Sequence, residues 1–90
     1  MTILFFSIIT NLFVGIEKDI LFLKLFGKRL KELRKAKGVS QAQLAFEADI
    51  QIAQISRIER GIINTSIVNA KLIAKILDIP LKDLFDFEYQ

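Results

Sequence analysis

The stretch SQAQLAFEADIQIAQISRIERG, residues 40–61, decides the fold. Its second half, wound at about 100° per residue, separates into two faces. Ile52, Ile55 and Ile58 fall on one side with Glu59 in the same arc; Ala53, Ser56, Arg57 and Arg60 fall on the other, flanked by Gln54. One face needs a core. The other shows hydrogen-bonding groups, two fixed positive charges and one small residue. The first half opens with Ser40 as an N-cap, and Gln43 three residues on completes a capping box. That half is a short helix with Leu44, Ala45 and Ala48 turned inward, broken from the next by Asp49 and Ile50. Two short helices joined by such a break, the second with a polar outward face, describe a helix-turn-helix.

The flanks extend the pattern. Upstream, residues 27–37 interleave cations with Leu30 and Leu33, and Gly38 supplies a left-handed stop. Downstream, Gly61 ends the third helix, and Thr65 and Ser66 are N-cap candidates for a fourth. Ile67, Ala70, Ile73, Ala74 and Leu77 follow at helical spacing, and Pro80 suits the first position of a fifth short helix ending near Phe85. No segment alternates as a strand does. The expectation is an all-α, compact five-helix domain over residues 26–90, preceded by an apolar N-terminal extension over residues 1–25.

Composition narrows the function. Ninety residues make one small domain, and with a single Pro and four Gly nothing reads as an interdomain linker. Cysteine is absent, which excludes disulfides and thiolate metal sites and fits a reducing, cytoplasmic setting. Histidine is absent too, so the usual general base and the common metal ligands are missing together. Glu32, Glu47, Asp49 and Glu59 each have a helix-surface or capping explanation. No enzyme, no cofactor and no metal are expected. The net charge of +3 is unevenly placed: Lys28, Arg29, Lys31, Arg34, Lys35 and Lys37 stand against Glu32 alone, whereas residues 1–26 sum to zero. A basic helix of this density suits phosphate; the plainer alternative is a solvated face.

The run MTILFFSIITNLFVGI, residues 1–16, is apolar and β-branched, and Glu17, Lys18 and Asp19 end it. It is shorter than the roughly 20 residues of a membrane span, and it lacks the leading cations and cleavage site of a secretory signal. Three readings stay open: an added packing or dimerisation helix, a weak membrane-surface segment, or sequence translated upstream of the domain.

Residues 26–85 resemble the lambda-repressor/Cro-like (XRE) family of bacterial and phage regulators. The resemblance lies in RLKELRKAKGVSQ at residues 29–41, in the helix-turn-helix itself with its ISRIERG run, and in LIAKILDIPLKDLF at residues 72–85. It implies that Ala45 and Ile55 form the close contact at which the two helices cross. It implies that Gln41 hydrogen-bonds a phosphate and braces a recognition-helix side chain. It makes Arg34 and Glu59 a structural ion pair. Three positions depart from the family pattern. Asp49 stands where the family has Gly in the turn, Ile62 and Ile63 replace basic or polar residues, and Ile52 replaces a residue that is often polar. Phe46 points away from the core without explanation.

The resemblance further implies that residues 51–60 form a recognition helix in the major groove of double-stranded DNA. Gln51 and Gln54 then suit adenine, Arg57 suits guanine, and Ile52 either packs or touches a thymine methyl. Ala53 permits close approach, and Arg60, Gln41 and first-helix cations hold phosphates. A homodimer on a palindromic operator is implied, joined through Phe85, Phe87 and Tyr89 or through the N-terminal segment. The alternative is a protein-interaction module, such as an antitoxin, that masks a toxin or other protein partner through that segment. No membrane partner is expected.

Overall fold

The computed structural model describes residues 2–89. Among them, α1 (Thr2–Ala36), α2 (Gln41–Ala48), α3 (Ile52–Glu59) and α4 (Ile67–Ile76) precede a 3-10 turn, Leu81–Phe85. The all-helical class stands, with four α-helices rather than five. Pro80 caps the last segment from extended backbone (φ −61°, ψ 141°), and only five residues follow before Asp86. So short a piece closes three-residue rings: the Asp83 N–H donates to the Pro80 carbonyl at 3.0 Å.

The expected division at residues 25/26 is not marked by a break, because α1 runs straight through it. Glu17, Lys18 and Asp19 interrupt the apolar run but not the helix, as lysine and glutamate are good helix formers. At 1.5 Å per residue α1 reaches about 52 Å, which accounts for the longest dimension of the molecule, 55 Å against 24 and 19 Å.

All four helices stop in the same way. Gly38 (φ +70°), Asp49 (+53°), Gly61 (+73°) and Asp78 (+55°) turn left-handed. The next N–H reaches back five residues: Val39 to the Arg34 carbonyl at 3.1 Å, Ile50 to Ala45 at 3.0 Å, Ile62 to Arg57 at 2.9 Å and Ile79 to Ala74 at 3.0 Å. This is the Schellman closure, with aspartate twice in the place of glycine. Val39, Ile50 and Ile79 drop onto the core edge, while Ile62 stays 58% exposed. At the helix starts, the Ser40 and Ser66 hydroxyls accept from the Gln43 and Asn69 N–H groups, each at 3.0 Å. Ser66 is therefore the cap of α4. The Thr65 hydroxyl is buried and makes no hydrogen bond among the described residues.

Leu30, Leu44, Ile55, Ile58, Ile73, Leu77 and Leu84 form the centre of the core. α3 packs on both α1 and α2, α4 covers α2, and the 3-10 turn ties α4 to α1. The C-terminal aromatics fold back on α1: Phe22 meets Phe85, Phe87 and Tyr89 with ring centres 6.5, 5.4 and 5.1 Å away. Phe22, upstream of residue 26, thus packs against the C-terminal aromatics. The surface expected to remain free for self-association is partly consumed within the chain. Phe46 is 87% exposed, and nothing in the structure explains it.

Candidate nucleic-acid interface

α3 is held at its C-terminal end by backbone contact and by one buried ion pair. A β-carbon on Gly27 would stand 2.5 Å from the Glu59 carbonyl oxygen, so α1 and the end of α3 meet with no side chain between them. One turn earlier on α1, a β-carbon on Gly61 would stand 2.7 Å from the Lys24 backbone. The Arg34 guanidinium then donates twice to Glu59, Nε to Oε2 at 2.6 Å and Nη2 to Oε1 at 2.9 Å. Its remaining arm donates to the Val39 carbonyl at 2.8 Å. Hydrogen bonding to Glu59 raises the Arg34 pKa above its ordinary value against the opposing effect of burial, so the guanidinium keeps its charge. Gln41 completes the knot, its Nε2 donating to Glu59 Oε1 at 3.0 Å. A carboxylate on the apolar arc of α3 is explained: it is the socket for α1 and α2.

This geometry fixes the orientation of the opposite face. Gln51 is the N-cap of α3 and makes no capping hydrogen bond with its side chain. Gln51, Ala53 and Arg57 are exposed and Gln54 is half-buried. Ile52, which the helical wheel grouped with the core residues, is 50% exposed at the start of the helix. Ile55 and Ile58 carry the core face without it. Arg60 is exposed and leans back, its Nε donating to the Ser56 carbonyl at 3.3 Å. Gln41 stands apart from this group because one of its two amide N–H donors is engaged with Glu59. Ala45 and Ile55 are both buried in the core, as the crossing of α2 on α3 requires.

Two of the six cations in residues 28–37 are internal fasteners. Arg34 holds Glu59, and Arg29 Nε donates to the Asp83 carbonyl at 2.8 Å, tying α1 to the 3-10 turn. Lys28, Lys31, Lys35 and Lys37 are exposed and form no ion pair among the described residues. Sequence reasoning missed Gly27, Gly61 against Lys24, Arg29 and Phe22. Gly27 did carry a signal, since a glycine inside a helical pattern commonly marks a close approach.

The sequence profile of the helix-turn-helix family HTH_3 matches residues 30–84. Control protein C.BamHI of Bacillus amyloliquefaciens is 45% identical over 64 residues, 70% of this chain and 79% of that protein. The crystal structure of the restriction–modification controller C.AhdI from Aeromonas hydrophila superposes with a TM-score of 0.68 at 46% identity, covering 70% of this chain and 96% of that one. SinR, the master regulator for biofilm formation, is similar in its complex with DNA (TM-score 0.64, 35% identity, 68% of this chain and 98% of that one). It is similar also in its complex with SinI (0.63, 35%, 68% and 60%). The chain belongs to the HTH_3 (XRE-type) helix-turn-helix family of DNA-binding transcription regulators.

Proposed function

We propose that the chain regulates transcription as a homodimer on a palindromic operator, with α3 in the major groove. The observation that carries the reading is the division of labour on α3. Glu59, Ile55 and Ile58 lock its inner side to α1 and α2. Gln51, Ile52, Ala53 and Arg57 are left on its outer side with no structural duty. A rigid helix with unspent amide, methyl and guanidinium groups suits base reading. Gln51 and Gln54 offer paired donors and acceptors to adenine, Arg57 forks onto guanine, and Ile52 reaches a thymine methyl. Ala53 lets the backbone approach the groove. Arg60 and the exposed lysines of α1 meet phosphates, which position the domain without reading sequence. Gln41 fixes Glu59 with one amide N–H and has a second left to donate to a phosphate.

The chain acts in this reading in the cytoplasm, without a cofactor and without catalysis. The likeness to C.BamHI and C.AhdI favours control of a restriction–modification gene pair as the specific duty. A second reading is favoured by the likeness to SinR in its SinI complex, namely that a protein partner engages this chain and modulates its DNA binding. Selection of bound sites from random duplex DNA with the purified chain tests the proposal. An inverted-repeat motif is expected. Recovery of no motif at low salt contradicts it.

A further inference from the structure

We propose that residues 5–16 of α1 pair antiparallel with the same segment of a second copy of this chain. Between Ile3 and Leu21, eleven large apolar side chains are between 43% and 86% exposed. Soluble monomers seldom leave so large a contiguous patch in water. The apolar residues are also ordered. Phe5, Ile9, Leu12 and Ile16 recur at alternating steps of four and three, and the same register continues through the half-buried Leu23 into Phe26 and Leu30 of the core. Ser7, Thr10, Asn11 and Lys18 lie on the far arc, which also carries the apolar Ile3, Val14 and Leu21. Isoleucine at one alternate position, with leucine or phenylalanine at the other, is the residue choice of paired helices.

The domain itself selects the orientation. A parallel partner laid along this stripe would continue past Leu23 into space that α3 and the core already fill. An antiparallel partner leads away from it. Setting Phe5 opposite Ile16 and Ile9 opposite Leu12 confines the pairing to residues 2–19, short of Phe22, where the aromatic cluster begins. This register also accounts for Asp19, the one charge in the stripe. It falls opposite Thr2 of the other copy, at the first turn of α1, which has no acidic residue of its own. A carboxylate is favoured at a helix start. At roughly 100 Å² of exposed surface per side chain, the stripe with its flanking Ile8 and Phe13, six residues from each copy, buries on the order of 1,200 Å², where specific interfaces begin. A lipid surface fits less well, since it would place Asp19 among acyl chains, and no described helix is long and apolar enough to cross a membrane.

The pairing would join the homodimer of the proposed function and rests on that reading only for its purpose. It is measured without DNA, so either can fail alone. Sedimentation equilibrium of the full chain is expected to show a dimer. Leu12→Asp should weaken it at least about 100-fold by placing a charge in an apolar contact, with the domain's melting transition retained. Val14→Asp, on the far arc, should change it less than about threefold. The chain has no native cysteine, so orientation can be read by oxidation. Phe5→Cys mixed with Ile16→Cys should cross-link, and Phe5→Cys alone should not. A monomer at tens of micromolar, equal losses from both aspartates, or Phe5→Cys homodimers would each overturn the proposal. So would a monomer that floats with phosphatidylcholine–phosphatidylglycerol vesicles.

Discussion

Arg34 and Glu59, 25 residues apart in the chain, form a two-point ion pair with side chains only 7% and 2% exposed. Burial at this depth makes the pair weak evidence for net stability, but it makes either half expensive to lose alone. Arg34→Ala should destabilise the fold by about 2–4 kcal/mol, because Gln41 by itself cannot neutralise Glu59. Arg34→Lys keeps the charge and loses the fork, and should fall between the two. Thermal unfolding reads both. A variant that melts like the parent but no longer binds DNA would mean that Arg34 touches the nucleic acid instead.

Two glycines of α1 should respond to alanine with opposite signs. Gly15 has nothing near the position of a β-carbon, whereas at Gly27 a β-carbon meets the Ile58 and Glu59 carbonyls. Gly15→Ala should gain up to about 1 kcal/mol from helix propensity. Gly27→Ala should lose about 1–3 kcal/mol, as α3 is pushed off α1. Matching melting curves for the two would contradict the backbone contact.

Asp49 carries the turn of the helix-turn-helix at φ +53°. Asp49→Gly should stabilise the chain by about 0.5–1 kcal/mol, and Asp49→Val should destabilise it by about 1–2 kcal/mol, since a β-branched residue resists that conformation. Both effects are measured by denaturant unfolding.

Truncation locates where the packed unit starts. Removing residues 1–21 should leave the domain's melting transition nearly unchanged. Removing residues 1–25 also deletes Phe22, with its three aromatic contacts, and Lys24, which backs Gly61. That shorter chain should lose about 2–4 kcal/mol. Equal stability of the two truncations would support a boundary at residues 25/26.

The local signals in the sequence carried well. Ser40, Ser66, Gly38, Asp49 and Gly61 each mark a helix end that a single residue's backbone or hydroxyl chemistry dictates. Gly38–Val39, Asp49–Ile50, Gly61–Ile62 and Asp78–Ile79 even repeat one pattern at four helix ends, which gives Ile62 a backbone role. Glu59 was a different case. Its place on the apolar arc was visible, but its partner on α1 could be named only through the family resemblance, because no periodicity joins residues so far apart. The continuity of α1 was obscured by Glu17, Lys18 and Asp19, which change the composition without breaking the helix. The 3-10 turn was read as a helix because Pro80 opens both. On the candidate interface, the exposure of Ala53 and Arg57 followed from the wheel, whereas Gln51 was named only through the family resemblance. Ile52 did not, because the core of α3 begins one turn later.

The central claim is that α3 reads bases and that the α1 cations do not. It is tested most directly by repeating the site selection with Arg57→Ala beside the parent chain. The account predicts that one position in each half-site loses its preference, at about 1–3 kcal/mol there, while the other positions keep theirs. A uniform loss of affinity with the motif intact would make Arg57 a phosphate contact and contradict the claim.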